Sequence, residues 1–543
     1  MVNKIEKHIS VNNILLSIIS GILLSLGWTQ MGIGWITFFA FIPLLVIFDN
    51  LQNSIKKSKG ATILGLSYIT FFTWNCISTY WVSYASVPGA IVAIMLSALF
   101  MAGVIYFSFY CYIILGKRIG NIAFVTNWVA FEYLFMNSQI SWPWLILGNS
   151  LANNTTLIQW YEYTGHLGGS IWVLSINILL FEIYTRFINQ NKKRLKTACI
   201  SLVLLVFIPI IFSIITFFNY NENGKEVDIV VIQPNIDPYN EKFNGITEDE
   251  QLDLILKLCD STGDSEVDYF VSPETALAYG IWEDDIQNAY SIDEIRSFLQ
   301  KFPDTKFIIG ATTLKMYRNA CEKSETAQQY ANTDHYYDHF NTSLQIDTSR
   351  NIHIYHKSRL VPGVEKLPYP KIFGFMQDLM SDLDCGNYGT QKNRTVFPNE
   401  KLNINAGVPI CYESVYGEFI SEFVNEGANI LFVITNDGWW HDTPGYKQHR
   451  SYSKIRAIET RKSIARSANT GISCFINQRG EIIKELGWWQ RGAIRNTLKA
   501  NSNITFYTKH GDYLARMALG FSVIFVLLIF AAYIQLRKNL SKS

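Results

Sequence analysis

Charged side chains are scarce in this chain of 543 residues. They make up 17% of it, against about 25% in an average soluble protein, and the net charge is only +1. Proteins that bind nucleic acid through its phosphates need a basic surface, so nothing in the composition supports such a partner. The scarcity is local. Residues 11–218 and 516–536 are strongly apolar, whereas 220–512 has the composition of an ordinary soluble domain.

Paired metal ligands are also missing. The eight cysteines include no Cys-x-x-Cys pair and no zinc spacing. His441 and His449 flank a Gly-Pro loop, but no carboxylate or thiol stands at ligand spacing from them. We therefore expect neither a metal site nor a cofactor. Five of the cysteines fall within 220–512, so at least one of these stays unpaired within the chain.

Long apolar runs dominate both ends of the chain. Each is near the roughly 20 residues that cross a bilayer as a helix. No small-residue cleavage site follows the basic start, so we read the first run as an uncleaved helix. The sequence predicts eight spans, at about 11–29, 33–49, 62–83, 88–115, 120–137, 167–187, 197–218 and 514–536.

The loops between these spans alternate in charge. Lysine and arginine follow the second, fourth, sixth and last spans, and the intervening loops are nearly free of them. The positive-inside rule places the basic loops in the cytoplasm. Both termini are then cytoplasmic, and 220–512 lies on the outer face of a multi-pass protein, which is the periplasm if the membrane is a bacterial inner membrane.

The polar segment alternates strand and helix patterns. A capping box at Thr247 and Glu250 opens one helix, and Lys447–Lys462 is a second, whose basic side we expect to be solvated. Alternation of this kind predicts a layered α/β domain. The predicted domains are 1–219, 220–512 and 513–543. The predicted strands are Val227–Gln233, Tyr269–Val271, Phe307–Thr312, Thr342–Ile346, Ile352–His356, Ile404–Ile410, Ile430–Thr435 and Ile472–Ile476.

Three polar side chains each stand at the end of an apolar run: Glu274, Lys357 and Cys411. Together they suffice for acyl transfer. The carboxylate takes the thiol proton, the thiolate attacks a carbonyl, and the ammonium with a backbone N–H near Tyr412 stabilises the oxyanion. Singly, each fits a surface charge or a buried structural cysteine better, so the prediction depends on all three.

Two expectations about pKa follow from this placement. A helical pattern begins after Glu413, so Cys411 is predicted to lie at a strand-to-helix junction, where the helix dipole lowers the pKa of a thiol. Burial is expected to raise the pKa of the Glu274 carboxyl toward neutrality, as suits a general base.

These motifs resemble the nitrilase superfamily, and with the apolar spans they resemble its bacterial apolipoprotein N-acyltransferase family along essentially the whole chain. The resemblance implies an αββα sandwich, a catalytic triad of Glu274, Lys357 and Cys411, and supporting roles for Glu365, Glu413, Tyr412 and Asn436. It is carried by Gln233-Pro234-Asn235-Ile236, Pro273-Glu274-Thr275, Asn341-Thr342, Tyr355-His356-Lys357, Ile410-Cys411-Tyr412-Glu413, Thr435-Asn436-Asp437-Gly438-Trp439-Trp440, Gln448-His449, Arg456-Ala457-Ile458-Glu459 and Arg466-Ser467-Ala468-Asn469-Thr470-Gly471.

One loop departs from the family pattern. The family usually reads Leu-Val-Pro-Phe-Gly-Glu-Tyr here, whereas this chain has Gly363 and Val364 before Glu365. The glutamate keeps its place eight residues after Lys357. The changed residues leave the triad intact and put the shape of the loop in question.

The resemblance also implies partners and a mechanism. Cys411 takes an acyl chain from a phospholipid, phosphatidylethanolamine above all, and passes it to the α-amine of a diacylglyceryl-cysteine apolipoprotein. The transfer is ping-pong, through a thioester, and the protein is expected to act as a monomer.

Two apolar loops are candidate lipid contacts. Lys366–Met380 carries Phe373 and Phe375, and Gly438–Tyr446 carries Trp439 and Trp440. Packing on the domain core is the alternative for about half of their apolar residues. Trp144, in the loop 138–165, fits either an interfacial aromatic belt or a platform for lipid.

Two other functions, and a catalytically dead homologue, stay open at this point. A membrane-tethered amidase of the nitrilase type would use water in place of the lipoprotein amine, although a soluble substrate gives no reason for so many spans. A transporter with an accessory outer domain would bury ionisable groups within its spans. Here Glu132 and Glu182 are the main examples, and both are explained by packing.

Overall fold

The computed structural model describes residues 2–52, 58–242, 245–319, 321–331, 333–373 and 386–540, with side chains except at 2–11, 372, 373, 536, 539 and 540. The chain divides into two compact units. One comprises Met1–Asn219 and Asp512–Ser543, and the other comprises Tyr220–Gly511. The first is helical and the second mixes strands with helices.

The helical unit is built from apolar segments long enough for a bilayer. Its helices are Val2–Leu26, Thr37–Ala40, Ile42–Gln52, Lys59–Thr79, Val82–Ala85, Val87–Ile114, Lys117–Met136, Tyr161–Ile188, Lys192–Asn219 and Tyr513–Leu540, with 3-10 turns at Gly34–Ile36, Pro143–Leu145, Leu147–Leu151 and Thr155–Leu157.

Six segments in the described part of the chain are long and apolar enough to cross a membrane: Gly34–Gln52, Lys59–Thr79, Val87–Ile114, Tyr161–Ile188, Lys192–Asn219 and Tyr513–Gln535. The other two predicted spans also fall on helices. Asn12–Leu26 is shorter than the six, and Lys117–Met136, which carries its own basic start, is not among them. The six agree with a membrane protein, and the count of eight spans stays a prediction.

The second unit contains two β-sheets. The strands are β1 (Lys225–Gln233), β2 (Tyr269–Val271), β3 (Leu277–Trp282), β4 (Lys306–Tyr317), β5 (Gln328–Gln329), β6 (Tyr336–Ile346), β7 (His353–His356), β8 (Val396–Asn399), β9 (Ile404–Gly407), β10 (Ile430–Thr435), β11 (Ile464–Ala468), β12 (Ser473–Ile476), β13 (Ile482–Leu486) and β14 (Gly492–Ala500). One sheet has the order β14-β1-β2-β4-β6-β5, with β3 on β4 and β7 on β6. The other has the order β13-β12-β11-β10-β9-β8.

The sheets face each other across β1 and β11, where the Ser467 hydroxyl donates to Ile232 O at 2.8 Å. Helices Glu248–Thr262 and Tyr290–Leu299 bury their apolar stripes against the first sheet. Helices Gly417–Asn425 and Pro444–Thr460 lie on the side of the second sheet. Gly407 on β9 has no Cβ, which lets Phe423 of the first of these helices approach the strand closely. The four layers are the predicted αββα sandwich, and the predicted fold class is confirmed.

Candidate active site

A buried ammonium lies between two carboxylates in the second unit. Lys357 Nζ, directly after β7, donates to Glu274 Oε1 at 2.9 Å and to Glu365 Oε1 at 2.7 Å. The Asn341 side-chain amide donates to the same Glu274 oxygen at 2.8 Å, and the Asn436 N–H donates to Glu274 Oε2 at 3.1 Å. Both oxygens of the Glu274 carboxylate therefore have fixed donors, which sets its direction.

The charges in this cluster stabilise one another. Burial acts to raise the pKa of the Glu274 carboxyl, but the charge and hydrogen bond of Lys357, with help from Asn341, outweigh it and lower that pKa. Burial likewise acts to lower the pKa of Lys357, but Glu274 and Glu365 hold it well above its ordinary value. Glu274 is therefore ionised at neutral pH. The expected rise of its pKa toward neutrality is wrong, because the adjacent ammonium is a stronger influence than desolvation.

Cys411 lies on a sharp turn after β9. Its φ is +50°, a left-handed conformation that costs energy for a residue with a side chain. An isolated bridge from Ile410 to Ile434 holds the chain to β10 just before the turn. A 3-10 helix, Cys411–Val415, follows, and the α-helix begins only at Gly417. The junction predicted from the sequence is present, with a 3-10 turn between strand and helix.

The expected low thiol pKa is wrong. Burial raises the pKa of Cys411, the Glu274 carboxylate raises it further, and Lys357 offsets only part of this. The short 3-10 turn offers a weaker dipole than a full helix would. The residue is still partly exposed, so a substrate can reach it. The Cys411 thiol is therefore protonated at rest, and its ionisation is opposed by Glu274 and favoured by Lys357.

Glu413 joins the segments that carry the thiol and the ammonium. One of its carboxylate oxygens accepts from Ile410 N at 2.7 Å. The other accepts from Ser358 N at 2.6 Å and from the Tyr355 hydroxyl at 2.7 Å. Glu413 is fully buried, so these bonds lie away from solvent and fix the residue before Cys411 to the residue after Lys357.

The loop that departs from the family pattern still delivers its carboxylate. Gly363 has φ +78°, which glycine adopts without penalty, and its N–H donates to Lys366 O at 2.8 Å. Val361 N donates to Glu365 Oε2 at 2.7 Å. The other oxygen of Glu365 binds Lys357. The turn at Gly363 therefore takes the place of the residues usual in the family, and the Glu365 carboxylate still contacts the Lys357 ammonium.

Two further predicted residues line the same region. Tyr412 is buried, and its ring packs edge-on against Tyr416 with centroids 5.3 Å apart. Asn436 is buried and uses its backbone N–H on Glu274, while its side-chain oxygen accepts from Asn469 at 3.2 Å.

Comparison with known proteins agrees with this geometry. The family of carbon-nitrogen hydrolases matches residues 231–503, which is half of the chain. The chain belongs to the carbon-nitrogen hydrolase family. The apolipoprotein N-acyltransferase N-terminal domain matches residues 20–179, in the helical unit.

Relatives of this chain match it over nearly its whole length. It is 27% identical to an apolipoprotein N-acyltransferase of Chlorobaculum tepidum, over 94% of this chain and 95% of that protein. It is 26% identical to one of Thermotoga maritima, over 95% and 93% respectively. The resemblance of the motifs to the apolipoprotein N-acyltransferase family is confirmed. The unit Tyr220–Gly511, which contains the match to the carbon-nitrogen hydrolase family, is named the hydrolase unit.

Of the predicted lipid contacts, Trp439 and Trp440 are partly exposed in the hydrolase unit. The Trp439 ring meets Tyr239 edge-on at 5.3 Å, and the Trp440 ring lies 5.8 Å from the His449 ring. Trp144 belongs to the helical unit and is 1% exposed, packed against Trp81 and Trp142, so its ring is part of a closed aromatic cluster. Phe375 and the side chain of Phe373 lie outside the described residues.

Sequence reasoning missed Lys242. This lysine is buried in the hydrolase unit and donates to the backbone carbonyl of Glu274 at 3.1 Å. Its own carbonyl accepts from Gln251 at 2.7 Å. Burial lowers the pKa of Lys242 to about 8, although Glu274 acts in the opposite direction. No periodic pattern marks this loop, and the contact joins residues 32 positions apart.

Within the described residues, one group has possible metal ligands: Cys411, Asp437 and His449, whose ligand atoms all lie within 4.8 Å of one another. The Arg466 guanidinium already contacts Asp437 at 2.7 Å. A metal ion there would lie beside a fixed positive charge, so this donor set is a poor metal site.

Proposed function

We propose that this carbon-nitrogen hydrolase is an apolipoprotein N-acyltransferase, which moves an acyl chain from a phospholipid to the N-terminal α-amine of a diacylglyceryl-cysteine lipoprotein. The observation that carries the proposal is the Lys357 ammonium held between Glu274 and Glu365, beside Cys411 in its left-handed turn. The amino-terminal domain match and the membrane-length helices favour lipid-anchored substrates.

In the first half-reaction the Cys411 sulfur attacks the ester carbonyl of the phospholipid. Glu274 takes the thiol proton as the carbon–sulfur bond forms, and Lys357 stabilises the oxyanion. When the tetrahedral intermediate collapses, the ester C–O bond breaks and Glu274 returns the proton to the leaving oxygen. Lysophospholipid departs and a thioester remains on Cys411.

In the second half-reaction the lipoprotein α-amine attacks the thioester. Glu274 takes a proton from the amine, the carbon–sulfur bond breaks, and the proton passes to Cys411. The product is an amide and the free thiol. A site that keeps water from the thioester lets the amine compete, and Trp439 and Trp440 are proposed to serve that purpose as lipid-contacting residues, with Phe373 and Phe375.

The proposal also covers the membrane topology, the acyl donor and the residues that support the triad. Residues 1–219 and 513–543 anchor the protein in the bacterial inner membrane, and 220–512 is the periplasmic catalytic domain of a monomer with both termini in the cytoplasm. Phosphatidylethanolamine is the proposed donor. Glu413, Glu365, Tyr412 and Asn436 support the triad, since three of them bind its backbone neighbours or its charged atoms.

The test is a trapped acyl-enzyme. The full-length protein in detergent is incubated with phosphatidylethanolamine labelled in its acyl chain, and label on Cys411 that hydroxylamine removes is measured by peptide mass spectrometry. We expect label on the wild type and none on Cys411→Ser. Cys474→Ser, which removes another buried free thiol of the hydrolase unit, is the matched control and should label normally.

The outcomes separate the alternatives. Addition of a diacylglyceryl-cysteine peptide should discharge the label into an amide product. Discharge into free fatty acid, unchanged by the peptide, would identify a lipid hydrolase. An unlabelled wild type that hydrolyses short amides would identify a membrane-tethered amidase.

A further inference from the structure

A buried charged network lies beside the nucleophile turn and is not used by the triad. Asp437, two residues after β10, accepts from Arg466 on β11 at 2.7 Å and faces the Nδ1 of His449 at 2.9 Å. All three side chains are fully buried. A buried ion pair of this kind is costly to form and disruptive to break, so its members hold fixed positions.

His449 connects this pair to the backbone of Cys411. Its Nε2 lies 3.2 Å from Cys411 O and 3.0 Å from the Ser414 hydroxyl oxygen. The Ser414 hydroxyl in turn donates to Cys411 O at 2.7 Å. The nucleophile's own carbonyl is therefore contacted twice, directly by the imidazole and through Ser414.

The neutral ring makes this bridge when its proton is on Nε2. With the proton on Nδ1, the ring would donate to Asp437 and Nε2 would need the Ser414 proton, which that hydroxyl donates to Cys411 O. With the proton on Nε2, the ring donates to Cys411 O, and Nδ1 accepts from Arg466, whose guanidinium lies 3.0 Å away. Burial and the Arg466 charge lower the pKa of His449, so the neutral forms prevail near pH 7.

Asp437 reaches the other side of Cys411 as well. The Thr435 hydroxyl donates to Asp437 Oδ1 at 2.8 Å, and the Thr435 side chain also acts to lower the pKa of the Cys411 thiol. One carboxylate thus orients a group at the sulfur and a group at the carbonyl. Such double support is what a strained φ of +50° needs in order to persist.

We propose that His449, oriented by Asp437 and Arg466, is a positioning residue that holds the Cys411 turn in its reactive left-handed conformation. It acts through the backbone and takes no part in proton transfer to substrate. The inference rests on the proposed role of Cys411 as nucleophile. Its own readout is the reactivity of the thiol, which needs neither lipid nor lipoprotein.

The experiment measures alkylation of Cys411 by iodoacetamide in the full-length protein. The exposed free thiol of Cys321 is the internal reference for reagent and accessibility. Acyl-enzyme formation from labelled phosphatidylethanolamine is measured in parallel at several lipid concentrations. The variants are His449→Ala, His449→Gln and Thr460→Val. Thr460 is buried on the same helix and its hydroxyl donates to Arg456 O in that helix at 2.7 Å, so its variant is the matched control.

We expect His449→Ala to slow alkylation of Cys411 about 10-fold or more relative to Cys321, and to lower the maximal acylation rate with little change in KM. His449→Gln restores part of the rate, because its amide carries both a donor and an acceptor. Thr460→Val leaves both rates within about 2-fold. This split distinguishes positioning from a general loss of stability, which would affect all buried variants alike.

A wild-type alkylation rate in His449→Ala overturns the inference, as does a His449→Gln variant no better than His449→Ala. If His449→Ala does not fold, Ser414→Ala decides, because it removes the contact to Cys411 O that runs through Ser414 without uncovering a charge. It should slow alkylation about 3-fold, and an unchanged rate overturns the inference. Slowed alkylation with no lipid labelling of the wild type would overturn the proposed substrate alone.

Discussion

At the residue scale, the site pairs a thiol that keeps its proton with a carboxylate that has lost one. Burial raises the pKa of Cys411, and Lys357 lowers that of Glu274. Proton transfer from thiol to carboxylate is uphill in the resting enzyme, so it proceeds only together with attack on a carbonyl that is in position. An unoccupied site consequently holds little free thiolate, which limits stray reaction with water-borne electrophiles.

Lys242 is predicted to keep Glu274 ionised. Its ammonium lies at the backbone of Glu274 and lowers the pKa of that carboxyl. In Lys242→Met this contribution is lost and the pKa rises, so the carboxylate is protonated at a higher pH. The proposed mechanism requires the carboxylate, and the acid limb of acyl-enzyme formation should therefore move to higher pH.

The measurement is the initial rate of hydroxylamine-sensitive labelling from pH 4 to 8. Lys242→Arg keeps the charge and is the control, with an acid limb close to that of the wild type. If Lys242→Met lowers the labelling rate at every pH without shifting the acid limb, the electrostatic role is contradicted and only a structural role remains.

Single site residues could be predicted from the sequence where they stood at the end of an apolar run. Glu274, Lys357 and Cys411 each end an apolar run, and the structure brings the first two into direct contact. Their catalytic roles stay a prediction. Lys242 and His449 could not be found in this way, because each acts on a backbone carbonyl far away in sequence, and such contacts leave no periodic trace.

At the scale of elements, close backbone approach decides where Glu274 sits. Thr275, the next residue, has φ +50°, and β4 passes beside this turn at Gly310. A Cβ at Gly310 would lie 2.5 Å from Thr275 N and 2.6 Å from the Glu274 Cα. These are backbone atoms that cannot rotate away, so the strand and the turn fit only with glycine here.

Gly310→Ala should therefore displace Glu274, the proposed general base. We expect a loss of stability of about 1–3 kcal/mol from overpacking and a fall in acyl-enzyme formation of about 100-fold, the scale of a 1 Å misplacement. Thermal unfolding and the labelling rate are the measurements. Gly492→Ala on β14, where the new Cβ would meet Leu486 at an ordinary 3.4 Å, is the matched control and should retain both. Equal behaviour of the two variants would contradict the account.

One helix shows where sequence reasoning at this scale failed. The basic side of the second predicted helix, observed at Pro444–Thr460, was expected to be solvated, and that is wrong for several of its cations. Arg456 is buried, pairs with Glu459 at 2.9 Å and donates to Val415 O. Lys462, just past the helix, is buried against the carbonyls of Asn501 and Asn503. Carbonyl acceptors from distant loops satisfy these charges, and composition does not reveal them.

At the scale of the whole molecule, the order of membrane helices and hydrolase unit was readable from hydropathy alone, because a bilayer requires long apolar runs. The exact number of spans was not. Lys117–Met136 mixes polar with apolar residues along its length, and hydropathy does not decide whether such a helix crosses the membrane. The predicted orientation depends on this count, because each span reverses the side of the membrane on which the next loop lies.

A fused reporter tests the topology. We expect alkaline phosphatase, active only outside the cytoplasm, to be inactive when fused after Ser543 and active when inserted at the exposed loop near Glu322, since the positive-inside rule puts the tail in the cytoplasm. A green fluorescent fusion after Ser543 is the complementary control and should fluoresce. Phosphatase activity at the tail would reverse the proposed orientation.

The helices on either side of the hydrolase unit in the chain expose most of their apolar surface. Only 11% of the apolar window is buried in each of Lys192–Asn219 and Tyr513–Gln535. A helix of 28 residues rises about 42 Å, well beyond the roughly 30 Å of a hydrocarbon core. A helix relieves such a mismatch between its own length and the thickness of the bilayer by tilting. The thickness of the bilayer is therefore a physical variable of this enzyme, in addition to the chemistry of its lipid donor.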